Sequence, residues 1–435
     1  MKISKIIISL LLLAAIAVNI TSCAEIEIKN KTGDPTNETK PENKPLQADL
    51  DLMKNISAKT VSEKSSDEKF TASMADFSIE LFKKSITDKE NSLVSPLSVM
   101  LALAMTANGA DNETLAQMEK VLGGDIKLAE LNEYLYSYVK SLPSEEKSKL
   151  NIANSIWFRN DESLSVKNDF LQKNANYYGA EAYKSAFDDQ TLKDINNWVK
   201  TNTDNMIDKI LDTINDNAVL YLINAVVFDA EWQNVYNLNN ILKSNFTDIN
   251  GAVKNVDFMH SEEYKYLDDG KATGFIKPYA NNKYSFAALL PNEDISIEEY
   301  IESLNGEDFI NTLKNAESDA AVYVSMPKFK YDYEIKMNDA LKALGMSEAF
   351  NSVNADFKKM ATHVSKNIYI GEVLHKTFIS VDELGTKAGA VTIVEMAMGR
   401  AAPSITVQLD RPFVYAIIDN ATNLPVFIGT VMTVQ

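Results

Sequence analysis

The sequence predicts an α+β fold in which one large domain of about 365 residues follows a leader and a polar tether. Three observations predict it. Apolar residues recur at helical spacing in the first half, strand patterns dominate the middle and end, and neither a regular strand–helix–strand alternation nor an internal repeat is present. At 435 residues, 45% of them hydrophobic, the chain has ample material for one large core. The formal net charge is -18, with 43 Lys and Arg against 61 Asp and Glu, which excludes an electrostatic grip on nucleic acid.

Residues 1–22 read as a secretory leader. Lys2 and Lys5 precede the apolar run Ile6–Ile20, which is too short to span a bilayer comfortably. The run ends in Ile20-Thr21-Ser22-Cys23, which resembles a bacterial lipobox, so Cys23 is expected to carry lipid after cleavage. An ordinary signal peptide with an incidental cysteine is the plainer alternative. Cys23 is the only cysteine, and no disulfide is expected. Residues 23–66 are polar, with Pro35, Pro41 and Pro45, and read as a flexible tether. The expected location is the bacterial cell envelope, lipid-anchored at the outer membrane, on its periplasmic face or at the cell surface.

The domain, 67–435, begins with a helix in which Phe70, Met74, Phe77 and Leu81 form the apolar stripe and Lys83 and Lys84 favour the dipole at the end. Ser95 caps a second helix, Pro96 occupies its first turn, and Gly109 is expected to close it. The apolar run Val219–Phe228 predicts a central strand covered on both faces. Further strands are expected at Ser285–Leu290, Val322–Met326, Lys328–Tyr333, Thr377–Val381, Ile405–Leu409, Phe413–Ile418 and Val426–Val434.

Catalytic signatures are missing. The three histidines, His260, His363 and His375, fall in no zinc-protease motif, and no nucleophile elbow, phosphate loop or dinucleotide fingerprint occurs. With Cys23 assigned to lipid, no cysteine nucleophile remains. Neither a metal nor a cofactor is expected, and the chain does not read as an enzyme.

The segment from Val381 to Pro403 is a long connection between two strands, and such connections are usually functional. It alternates as a half-buried strand does. Thr386, Ala388, Ala390, Thr392, Val394 and Met396 point one way, all small or apolar, whereas Lys387 and Glu395 point the other. A loop with this pattern has somewhere to insert.

From Phe70 to Gln435 the chain resembles the serpin family. The resemblance rests on Asn91-Ser92-Leu93-Val94-Ser95-Pro96-Leu97-Ser98, on Asn224-Ala225-Val226-Val227-Phe228 followed by Trp232, and on the run from His375 to Thr386. Arg411-Pro412-Phe413 and Pro425-Val426-Phe427-Ile428-Gly429 complete it. It implies three β-sheets surrounded by about nine helices, with an exposed reactive-centre loop. It also implies a suicide inhibitor of serine, and by extension cysteine, endopeptidases. In that family the cleaved loop enters the main sheet as a new strand and traps the protease covalently.

Residue by residue, the resemblance assigns Glu383, Gly385, Thr386, Ala388, Gly389 and Ala390 to the hinge of the loop. It assigns Trp232, Lys328 and Glu383 to the breach where the loop enters the sheet, and Ser95, Ser98, Asn224 and His375 to the shutter where the sheet parts. The reactive bond falls at Gly399–Arg400, with Met398–Gly399 and Arg400–Ala401 as alternatives. Leu384 stands where a charged residue is common, and Gly389 where alanine is usual. The expected partners are target proteases, bound covalently, and the membrane through the lipid; the expected state is a monomer. A non-inhibitory serpin and a surface binding lipoprotein are the rival readings.

Overall fold

The first helix, Glu68–Ser85, buries Phe70, Met74, Phe77 and Leu81, and Asp67 caps it by accepting from the Phe70 amide. The second, Pro96–Ala107, carries almost no polar residue and is buried on nearly every side. It ends before Gly109, with the Asn108 amide donating to Ala104 at 3.2 Å and the Gly109 amide to Thr106 at 2.9 Å. Gly109 serves packing instead, because a Cβ there would lie 2.3 Å from that of Met360.

The computed structural model describes residues 50–87, 89–215, 218–318, 321–386 and 405–435. Among them are nine α-helices and three large sheets, with a small two-stranded sheet besides. The α+β class is therefore as the sequence predicts. The main sheet has seven strands in the order Leu50–Asp51, Glu181–Ser185, Ser148–Arg159, Leu220–Glu231, Gly385–Thr386, Leu374–Val381 and Phe329–Lys336. A six-stranded sheet holds Ser92–Val94, Pro425–Val431, Phe413–Asp419, Tyr284–Pro291, Ala272–Pro278 and Tyr266–Asp268 in that order. A four-stranded sheet holds Ile405–Gln408, Val322–Pro327, Val253–Glu263 and Ile241–Thr247.

Each sheet follows from its pattern. The strand Leu220–Glu231 lies against Ser148–Arg159 over its whole length, with Asn224 opposite Asn154. In Phe329–Lys336 the aromatic residues Phe329, Tyr331 and Tyr333 are buried while Lys330, Asp332 and Glu334 face outward, the period-two pattern of a sheet with one wet face. Pro425–Val431 and Phe413–Asp419 are buried throughout, so they read as continuous apolar runs.

The tether reading, 23–66, does not describe its final third. Leu50–Asp51 pairs antiparallel with Glu181–Ser185 at the edge of the main sheet, and the Leu52 amide donates to Ala182 at 2.9 Å. The Lys59 amide donates to Asn176, the Gln172 side chain donates to the Ser57 carbonyl, and Lys64 pairs with Glu130. Leu52, Met53 and Ile56 pack against the core. Composition averages over such a stretch, and three apolar side chains placed on a waiting surface suffice to anchor it. Residues 50–66 accordingly belong to the compact unit that ends at Gln435.

Candidate functional site

The two strands at the centre of the main sheet, Leu220–Glu231 and Leu374–Val381, run in the same direction with a slot between them. Among the described residues the slot is filled at one end only. After Val381 the chain turns, and Gly385–Thr386 folds back into it, with Thr386 opposite both Val381 and Ala230 and Gly385 opposite Glu231. Among the described residues none pairs between the two strands beyond Thr386. Thr386 is 3% exposed, and its hydroxyl lies 2.5 Å from that of Tyr279. Gly385 is required at its position, because a Cβ there would stand 2.0 Å from the Ala230 carbonyl oxygen.

The turn feeding the slot is held from several directions. Within it the Asp382 carboxylate accepts from the amides of Leu384 and Gly385, at 2.9 and 3.3 Å. The Trp232 ring nitrogen donates to the Asp382 carbonyl at 2.8 Å, its amide donates to Leu384 at 2.8 Å, and the Tyr236 amide donates to Glu383 at 3.0 Å. From the far side the Lys328 ammonium lies 2.5 Å from the Glu383 carboxylate. Burial alone would raise the Glu383 carboxyl, but the hydrogen bond and charge of Lys328 outweigh it and hold that group below its ordinary value. Burial raises the neighbouring Asp382 carboxyl despite the two amides that donate to it.

Lower in the slot a chain of polar groups joins its two sides. The Ser95 amide donates to Nε2 of His375 at 3.1 Å, and the Ser95 hydroxyl donates to the Val426 carbonyl at 2.9 Å. The Ser98 amide donates to the Ser95 hydroxyl at 3.3 Å, and the Ser98 hydroxyl donates to Oδ1 of Asn224. Asn224 passes the chain to Asn154, whose amide nitrogen donates to the Tyr178 carbonyl at 3.3 Å. The helix cap at Ser95 thus also tethers the two strands that border the slot. His375 is wholly buried, which pushes its pKa down to about 4 and keeps the ring neutral, as an acceptor at Nε2 must be.

The residues the resemblance assigns to breach and shutter are therefore brought together as two clusters, one at the mouth of the slot and one midway down it. Ala388, Gly389, Ala390, Met398, Gly399, Arg400, Ala401 and Cys23 lie outside the described residues. Sequence reasoning missed Asn154, Tyr236, Tyr279 and Asp382. Asp382 adjoins the hinge and was in view; the others lie far along the chain, and only Asn154, a polar residue inside the apolar run Ile152–Phe158, carries a local signal. Among the described residues no group of three or more His, Cys, Asp or Glu is placed to hold a metal. The crevice at the slot, bordered by Val226, Phe228, Phe378, Ile379 and Thr386, has a volume of about 20 Å³, room for roughly one water rather than a ligand.

A seven-stranded sheet whose two central strands are bridged at one end by Gly385–Thr386, beside the Lys328–Glu383 ion pair, is the arrangement these residues build. Residues 72–434 match the family model Serpin (serine protease inhibitor), and the chain belongs to the serpin family. Serpin B10 of Otolemur garnettii is 29% identical over 392 residues, covering 82% of this chain and 98% of its own length. The native state of the thermophilic serpin Tengpin is 59% identical, with a TM-score of 0.85 over 88% of this chain and 99% of Tengpin. Its latent state, 56% identical, gives a TM-score of 0.77 over 86% of this chain and all of that one.

Proposed function

We propose that this serpin is a covalent-trapping inhibitor of serine endopeptidases, and of cysteine endopeptidases by the same route, which acts by inserting its cleaved loop into the slot. One observation carries the reading: Gly385 and Thr386 already occupy the first two rungs, with the Thr386 side chain in the core. That fixes the phase of everything that follows. Continued in the same register, residue 388 would meet Phe228 and Ile379, residue 390 would meet Val226 and Thr377, and residue 392 would meet Asn224 and His375. The Leu220–Glu231 strand has room for residues up to 396. The even-numbered residues that would share the buried face with Thr386 are Ala388, Ala390, Thr392, Val394 and Met396, all small or apolar. An inward charge would cancel several ladder bonds, and this loop has none at those positions.

Roughly ten new rungs, each worth about 0.5–1.5 kcal/mol, give on the order of 10 kcal/mol, comparable to the whole stability of an ordinary domain. The uncleaved form is then kinetically trapped. A protease acylated at Gly399–Arg400, or at a bond one residue to either side, is carried away before it can deacylate. The leader and Cys23 support a lipid-anchored site of action in a bacterial envelope, with the polar, proline-containing sequence after Cys23 suited to a spacer.

Incubation with subtilisin, elastase, trypsin and a cysteine protease tests the reading. The expected result is an SDS-resistant adduct with at least one of them, and a cut within residues 397–402 by mass spectrometry of the released peptide. Cleavage by all four without any adduct would identify a non-inhibitory serpin.

A further inference from the structure

Beneath the mouth of the slot lies an ion pair that none of the breach or shutter assignments includes. The Lys277 ammonium sits 2.7 Å from the Glu263 carboxylate, and the two side chains are 2% and 6% exposed. The Ser261 hydroxyl donates to the same carboxylate at 2.6 Å. Lys277 lies on the Ala272–Pro278 strand of the six-stranded sheet and Glu263 ends the Val253–Glu263 strand of the four-stranded sheet. The pair therefore joins two sheets at the point where the main sheet's Leu220–Glu231 strand ends.

The ammonium also lies over two aromatic rings, 4.3 Å from the centroid of Tyr236 and 5.5 Å from that of Trp232. Both residues are buried, and Trp232 stacks on Tyr279 with centroids 4.5 Å apart. Trp232 and Tyr236 supply the three donors that hold the carbonyls of Asp382, Glu383 and Leu384, and Tyr279 holds the hydroxyl of Thr386. Each of these four contacts thus comes from an aromatic residue resting on, or stacked beside one that rests on, a single buried cation, two of them through ring or hydroxyl groups and two through backbone amides. A cation desolvated over ring faces fixes their orientation, and its carboxylate keeps it there, since neither charge can remain buried alone.

We infer that Lys277 and Glu263 are positioning residues for loop insertion: their ion pair orients Trp232 and Tyr236 so that the turn 382–384 keeps the first two rungs of the inserted strand formed before cleavage. The consequence is kinetic and rests on the proposed inhibitory reading. Insertion that starts from two rungs already made outruns deacylation; insertion that must first form the turn does not.

The test is a pair of variants. Lys277→Met alone leaves a buried, unpaired carboxylate and lowers the melting temperature whatever the role of the pair. Lys277→Met with Glu263→Met removes both charges, keeps apolar bulk and returns the melting temperature to within a few degrees of wild type. In the double variant, amide exchange at Trp232 and Tyr236, read by hydrogen–deuterium mass spectrometry over residues 228–240, is expected to speed up at least about tenfold. With a protease the wild type traps, the moles of inhibitor consumed per mole of enzyme trapped are expected to rise about threefold or more. A well-folded double variant with wild-type exchange would overturn the inference, as would faster exchange with unchanged partitioning. If the wild type traps no protease, the inhibitory reading falls, and exchange alone decides whether the clamp exists.

Discussion

The hydroxyls of Tyr279 and Thr386 lie 2.5 Å apart in the core, although 107 residues separate them in the chain. This contact turns the Thr386 side chain inward, and on the proposed insertion every second residue after it would do the same.

Thr386→Arg places a charge where the side chain is 3% exposed and its hydroxyl meets that of Tyr279. Burying it unpaired offsets several rungs of the ladder. The variant is expected to be cut at the same bond as wild type while the trapped fraction drops about tenfold or more. Densitometry of SDS-resistant complex against cleaved inhibitor reads this, and unchanged trapping would refute insertion.

Gly385→Ala tests the close approach at the slot mouth. Its Cβ would meet the Ala230 carbonyl at 2.0 Å, so the first rung must open. We expect a loss of about 1–3 kcal/mol, the usual range for forced overpacking, measured by urea unfolding. A variant as stable as wild type would show that the rung contributes nothing.

The gate should weaken in acid. Glu383 titrates below its ordinary value of 4.5, so the Lys328–Glu383 contribution is complete above that pH and is lost as pH falls through the lower folded value. Asp382 acts in the opposite sense, because its raised carboxyl carries a penalty that acid removes, so the net effect is modest. Glu383→Gln is expected to mimic the acid state at neutral pH, taking up a synthetic peptide of residues 386–396 into the slot faster than wild type. Equal rates would exclude the pair as a gate.

His375 gives a second pH dependence. Its pKa is about 4 in the folded protein against 6.5 ordinarily, so the unfolded chain binds a proton that the native one refuses. Stability therefore falls as pH drops from about 6.5 to about 4, by on the order of 3 kcal/mol in total. Comparing denaturant unfolding of wild type and His375→Gln at pH 7 and pH 4 isolates this share; identical pH slopes would count against it.

Nicking the loop between residues 398 and 401 should raise the melting temperature by more than about 10 °C, since each kcal/mol shifts the transition of a large domain by a few degrees. Differential scanning calorimetry before and after limited proteolysis reads it. An unmoved transition would leave the fold assignment intact and remove the inhibitor.

Much of this architecture was legible because burial writes itself into periodicity. The stripe Phe70, Met74, Phe77 and Leu81 declared its helix, and Ser95 and Pro96 declared a helix start. These are local signals, since each residue's environment repeats with the geometry of its own element. The docking of residues 50–64 was not legible: Leu52, Met53 and Ile56 are too few to set a period, and what holds them is a surface formed elsewhere.

The sequence by itself determined the class and the alternation of small and apolar residues after Gly385, because each follows from which side chains tolerate burial at a given spacing. Tertiary structure alone decided that Lys277 meets Glu263 under Trp232 and Tyr236, that Asn154 extends the chain from Ser98 through Asn224, and that two rungs of the slot are filled already. A charge or an amide in one strand carries no mark of its partner in another sheet. Only the register and packing of the sheets fix which polar groups share a dry interior, and there each must find its complement.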